Sequence, residues 1–164
     1  METPAIRVLV TGGTFDKNYN ELEGRLQFRE THMPEMLGLG RCKLGIVVET
    51  LMLIDSLEMT DEHRARVLEA CRRAPENHIV ITHGTDTMEQ TARTLGAAGI
   101  EKTIVLTGAM VPYTFGSSDG LFNLGSALAF AQSLPRGTYV AMNGRALGWA
   151  DVRKNRSTGV FESG

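Results

Sequence analysis

A chain of 164 residues, 42% hydrophobic and 22% charged, can bury one ordinary core and is too apolar to be disordered. Its net charge of −2 offers nucleic acid no electrostatic footprint. It holds no uninterrupted apolar run near the ~18 residues that a transmembrane helix needs.

Ile6-Arg7-Val8-Leu9-Val10 reads as a first strand, running into Thr11-Gly12-Gly13-Thr14. The polar segment from Phe15 to Glu30 is long for a connection in a compact domain, which predicts a mobile lid. A short helix follows Met33-Pro34, since proline suits a first helical turn. Leu44-Gly45-Ile46-Val47-Val48 is a second strand, followed by a turn at Asp55-Ser56. Thr60 caps a helix over Asp61 to Arg73, whose first-turn acids and last-turn arginines match the macrodipole.

The third strand, His78-Ile79-Val80-Ile81, leads through His83-Gly84-Thr85-Asp86-Thr87 into a helix from about Thr87 to Ala98, ended by Gly99. Thr103 to Thr107 is a fourth strand, leaving into a Gly/Pro/Ser loop from Gly108 to Ser118. Asp119 opens the next helix, where Leu121, Leu124 and Leu128 recur at helical spacing. A fifth strand, Thr138 to Met142, precedes a weaker apolar patch from Ala146 to Ala150. The alternation predicts an α/β fold: a doubly wound, mainly parallel sheet flanked by helices, in a single domain over residues 1–164. Met1-Glu2-Thr3-Pro4 lacks the basic start of a signal peptide, and Cys42 and Cys71 are too isolated for a disulfide framework or metal site. A cytoplasmic location is expected.

In such a sheet, loops leaving the carboxyl ends of the strands share one crevice, so the two threonine signatures can face one small ligand. Thr11-Gly12-Gly13-Thr14 has neither the G-x-G-x-x-G spacing nor a phosphate-loop lysine, which argues against nucleotide binding. His83-Gly84-Thr85-Asp86-Thr87 lies at a strand-to-helix turn, where backbone N–H groups carry partial positive charge and can serve an oxyanion. Thr85 adds a hydroxyl and Asp86 a carboxylate; taken alone, either could simply cap the helix. His83 reads as a residue satisfying a hydrogen bond at the strand end.

With Thr107-Gly108-Ala109-Met110-Val111-Pro112, Ser117-Ser118-Asp119-Gly120-Leu121-Phe122-Asn123-Leu124 and Asp151-Val152-Arg153-Lys154, these signatures resemble the bacterial-type L-asparaginases in order and spacing. The resemblance covers essentially the whole chain and implies the flavodoxin-like N-terminal catalytic domain of that family, in a short form with no C-terminal domain. It implies hydrolysis of L-asparagine to L-aspartate and ammonia without cofactor or metal. By position, Thr14 matches the nucleophile that forms the acyl-enzyme, and Tyr19 the tyrosine that hydrogen-bonds it. Thr85, Asp86 and Lys154 match the second catalytic group, with the lysine keeping the threonine reactive and Asp86 binding the α-amino group. Ser56 matches a residue holding the α-carboxylate, and Ala109 a backbone carbonyl near the leaving amide. Gly13, Leu57 and Gly84 complete the expected substrate-binding set.

Three departures stand out. No second domain of the kind that lends acidic and amide groups in full-length members is expected; Leu57 occupies a position that is commonly polar; Trp149-Ala150 precedes Asp151 where a glycine and a charged residue are frequent. An open crevice and leftover apolar surface predict a homo-oligomer, most simply a dimer, with Leu147-Gly148-Trp149-Ala150 at the contact. The partner is a small molecule, L-asparagine or L-glutamine, with no nucleic acid and no membrane. The alternative is a non-catalytic amino-acid-binding protein, or the amidase-like component of a larger amidotransferase.

Overall fold

The computed structural model describes residues 3–164. β1 (Ile6–Gly12) is followed by a 3-10 turn at Thr14–Asp16, a hairpin of β2 (Asn18–Asn20) and β3 (Arg25–Gln27), and helix α1 (Met33–Leu39). β4 (Ile46–Ile54), α2 (Asp61–Arg73), β5 (His78–Thr82), α3 (Met88–Ala97), β6 (Thr103–Thr107), α4 (Gly120–Ser133) and β7 (Gly137–Met142) continue the alternation. β8 (Arg145–Gly148) and a second hairpin, β9 (Val152–Lys154) with β10 (Phe161–Ser163), follow.

The main sheet has the order β4-β1-β5-β6-β7-β8. Its strands are parallel except β8, which runs antiparallel to β7. The chain order therefore reverses at β1, with β4 on one side and β5 on the other. Ligands of doubly wound sheets bind outside the strand ends at such a reversal.

The strands read as continuous apolar runs because both faces are covered. Side chains alternate, so Leu9, Ile79, Ile81, Ile104 and Leu106 bury against Val67 and Cys71 of α2 and Ala92 and Leu95 of α3. Val8, Val10, Val80 and Val105 face the other way, onto Met33 and Met36 of α1 and Leu124, Ala127 and Leu128 of α4. Burial pushes the Cys71 thiol up to about 12, which keeps it neutral.

Two expectations are corrected. The segment from Phe15 to Glu30 is not an open loop but a 3-10 turn and a hairpin. Its base is fastened by Asp16, fully buried, which accepts from Thr31 Oγ1 at 3.0 Å and from the His32 N–H at 2.8 Å. The second strand runs to Ile54, well beyond Val48. Glu49 is tolerated in it because β4 is an edge strand and the carboxylate meets Arg7 at 3.0 Å. Trp149 is half-buried and packs against α3, where a Cβ at Gly96 would lie 2.0 Å from the indole.

Candidate active site

Four loops converge at the carboxyl end of the sheet, and two glycines set how closely. Gly13 holds φ at 78°, and a Cβ there would come within 2.4 Å of the Gly84 nitrogen. A Cβ on Gly84 would in turn lie 2.6 Å from the Ser56 hydroxyl oxygen. The loops after β1 and β5 thus touch backbone to backbone, and the Ser56 side chain of the loop after β4 lies against Gly84, a closeness that only glycine permits.

Thr14 begins the 3-10 turn immediately after Gly13 and is half-buried. The next loop is tied to it by charge: Lys17 Nζ lies 2.6 Å from Asp55 Oδ2. That hydrogen bond from Lys17 holds the Asp55 carboxyl below its usual range. Asp55 also accepts from the Leu57 N–H at 3.0 Å, forming the turn that carries Ser56. Ser56 is buried; its Oγ accepts from the Thr87 N–H at 3.3 Å, and its carbonyl from the Thr87 hydroxyl at 2.9 Å.

Lys154 reaches the same place from β9. Its side chain is only 8% exposed, and the ammonium donates to Thr85 Oγ1 at 2.9 Å and to Asp86 Oδ1 at 3.1 Å. The Thr85 oxygen is an acceptor in this pair, so its own hydrogen stays free for another partner. Arg156 donates to Asp86 Oδ1 at 3.3 Å and to the Asp86 carbonyl at 2.7 Å. Glu89 Oε2 accepts the Lys154 backbone N–H at 3.2 Å, and Glu89 Oε1 lies 3.0 Å from Arg156.

The loop after β6 is fixed by Asp119. Its carboxylate accepts from the N–H groups of Met110 and Val111, at 2.9 and 3.0 Å, and from Asn123 Nδ2 at 3.1 Å. Asp119 precedes α4 as expected, yet its side chain caps no N–H of that helix and turns back to the loop. Ala109 is buried inside this turn.

His83 is fully buried, and burial drives its pKa down to about 4. Nδ1 faces the Gly84 carbonyl at 2.7 Å and Nε2 the Thr91 hydroxyl at 2.7 Å. A carbonyl can only accept, so the proton sits on Nδ1 and Nε2 accepts from Thr91. This imidazole is structural. Tyr19 is 58% exposed on the hairpin and forms no hydrogen bond with Thr14 among the described residues. Leu57 is also exposed. The structure thus brings Gly13, Thr14, Ser56, Gly84, Thr85, Asp86 and Lys154 to one end of the sheet, and leaves Tyr19 and Leu57 outward. No group of three or more His, Cys, Asp or Glu able to hold a metal occurs among the described residues.

Sequence reasoning missed Glu89, Arg156 and the loop role of Asp119. Glu89 lies one helical turn after Asp86, and Arg156 two residues after Lys154, so their spacing carried a weak signal.

Residues 5–163 match the family described as "Asparaginase, N-terminal". The chain belongs to the asparaginase family. It is 36% identical to "Probable L-asparaginase periplasmic" of Haemophilus influenzae, across 97% of this chain and 48% of that protein. It is 34% identical to "L-asparaginase 2" of Escherichia coli K12, across 96% of this chain and 48% of that one. The solved structure of the thermostable L-asparaginase from Thermococcus kodakarensis superposes with a TM-score of 0.84 at 32% identity, covering 97% of this chain and 51% of its own. The "Probable Cytoplasmic L-asparaginase" of Campylobacter jejuni gives 0.83 at 32% identity, covering 98% and 53%. The chain spans about half the length of the curated relatives it matches. Among the described residues no helix is long and apolar enough to cross a membrane.

Proposed function

We propose that this chain hydrolyses the side-chain amide of L-asparagine to L-aspartate and ammonia through an ester on Thr14. The observation that carries this is the cation of Lys154, held 2.9 Å from Thr85 Oγ1 and 3.1 Å from Asp86 Oδ1 beside the loop that bears Thr14. A threonine hydroxyl is a poor nucleophile without such a proton relay nearby.

Asp86 Oδ1 is already taken by Lys154 and Arg156, which leaves Oδ2 for the substrate ammonium. Ser56 Oγ accepts from Thr87, so its own hydrogen is free to donate to the α-carboxylate. Thr14 Oγ adds to the amide carbon as its proton passes to the amide nitrogen, and the oxyanion is met by N–H groups of the loops. The C–N bond then breaks and the nitrogen, now carrying that proton, leaves as ammonia; the Ala109 carbonyl accepts from the departing nitrogen. A water molecule then adds to the ester, its proton passing through the Thr85 hydroxyl to Thr14 Oγ. Cleavage of the ester bond releases aspartate and returns the Thr14 hydroxyl. This sequence uses no metal and no organic cofactor. Tyr19 would join Thr14 when the hairpin closes over ligand.

A second copy of the chain closing the open side of the crevice belongs to the same reading, as does a cytoplasmic location, which the free thiols of Cys42 and Cys71 suit. Ammonia release by the purified chain from asparagine and from glutamine tests the reading. One methylene separates these substrates and is worth only about 1–3 kcal/mol, so activity on both is compatible with it. Aspartate binding without ammonia from either amide would overturn it in favour of an amino-acid-binding protein. Light scattering with and without aspartate reads the assembly.

A further inference from the structure

Helix α3 offers one stripe to the segment that carries Lys154. Glu89, Arg93 and Gly96 recur at spacings of four and three, which places them on a single helix face. Each meets a different point of the run from 149 to 154. Glu89 Oε2 accepts the Lys154 N–H at 3.2 Å, Arg93 Nη2 donates to the Val152 carbonyl at 2.9 Å, and Gly96 makes room for the Trp149 ring. The opposite edge of β9 is paired with β10, where Lys154 stands across from Phe161. Arg156 then closes a ring from Glu89 Oε1 back to Asp86 Oδ1, at 3.0 and 3.3 Å.

The Glu89 side chain is only 16% exposed, and both its oxygens are engaged by this ring. Such charge-assisted bonds are stronger than neutral ones and fix direction as well as distance. Lysine needs this support, because its four-carbon stem carries a point charge with no geometry of its own.

We propose that Glu89, linked through Arg156 to Asp86, is a positioning residue that sets Lys154 against Thr85. Its kinetic consequence rests on the amide hydrolysis proposed above. Its structural consequence does not, and that separates the two. Glu89 withdraws the freedom of the Lys154 backbone, and Arg156 keeps the Asp86 carboxylate where Lys154 Nζ needs its second acceptor.

The test uses Glu89→Ala, Glu89→Gln and Arg156→Met in the full chain. Trace acetylation followed by mass spectrometry gives the labelling rate of Lys154 relative to the exposed Lys43. Lys102, which donates to the Cys71 and Ala74 carbonyls, reports whether the fold has loosened elsewhere. Glu89→Ala should raise the Lys154 to Lys43 ratio about tenfold, the equivalent of one charge-assisted hydrogen bond, with Lys102 unchanged. Arg156→Met should give a smaller rise. Glu89→Gln should recover most of the wild-type ratio, since its amide oxygen still accepts the Lys154 N–H.

In ammonia release, kcat should fall in the same order, about 100-fold for Glu89→Ala as expected for a displacement of about 1 Å, while KM stays within about twofold. An unchanged labelling ratio and kcat in Glu89→Ala, with active wild type, would overturn the positioning role. Labelling that rises as expected in a chain releasing no ammonia would uphold the clamp and sink the hydrolase reading. Should Glu89→Ala fail to fold, Glu89→Asp withdraws the same carboxylate by one methylene and reads the same quantity.

Discussion

Replacing Gly13 with alanine, against Gly24→Ala as its control, measures how far the loop junction matters. Both glycines hold φ in the left-handed region, at 78° and 66°. An L-residue at a left-handed position costs roughly 1–2 kcal/mol, and roughly 1–3 at Gly13, whose ψ of −178° lies in a region essentially reserved for glycine; the loss of glycine's freedom in the unfolded chain is the same for both. The surroundings differ. A Cβ at Gly24 meets nothing within 4 Å, whereas one at Gly13 would lie 2.4 Å from the Gly84 nitrogen and 2.5 Å from its Cα. Relieving that overlap requires two backbones to part by about 1 Å, and overpacking of this kind costs about 1–3 kcal/mol. Gly13→Ala should therefore lose about 2–6 kcal/mol in urea unfolding, against about 1–2 for Gly24→Ala. Ammonia release should separate the pair further, because a displacement of about 1 Å between Thr14 and Thr85 would lower the rate about 100-fold. Equal unfolding midpoints would refute the contact, and a destabilised but fully active Gly13→Ala would refute its bearing on the chemistry.

Thr14→Ala and Thr85→Ala should each remove more than about nine-tenths of turnover with little change in the unfolding midpoint; retention of the rate by both would end the threonine mechanism. His83 should stay neutral in the folded chain far below its ordinary pKa of 6.5, because burial lowers it to about 4. The unfolded chain therefore binds the extra proton first, and stability should fall by about 3 kcal/mol as pH drops from about 6.5 to about 4. A His83 ring that titrates near 6.5 by NMR would contradict this. Trp149→Ala should lower stability to urea by less than the ~3–5 kcal/mol of a fully buried aromatic, since Trp149 is only partly buried, whereas an oligomer-contact role alone would change mass and leave urea unfolding alone.

Strands β1, β5, β6 and β7 were legible because burial on both faces leaves uninterrupted apolar runs. β4 was clipped at Val48 because Glu49 looks like a terminator until Arg7 is known to stand beside it. The two hairpins were not legible: strands of three residues are too short for a period of two to register. Thr14, Thr85 and Asp86 could be found from turn chemistry at the strand ends. Lys154 came from resemblance alone, since a lysine among Arg153, Asn155 and Arg156 reads as solvated surface. Glu89 and Arg156 depend on a partner 67 residues away, so their spacing from Asp86 and Lys154 gave only a weak signal of the pairing. The packing of Trp149 on α3 was hidden for the same reason, because the space it fills is made by a glycine on another element.

The pairing of Lys154 with Thr85 spans 69 residues and joins the body of the sheet to a small hairpin outside it. Contacts of such separation reward the chain only after the entropy of closing the intervening loop has been met. The main sheet can acquire its helices and its parallel pairing while the crevice still lacks its cation. Regain of hydrolysis after dilution from urea should therefore trail the return of the helical signal, and proteolysis near the β9–β10 hairpin should silence the chain while most of its secondary structure survives. Competence to turn over substrate then becomes a clock for the last step of folding.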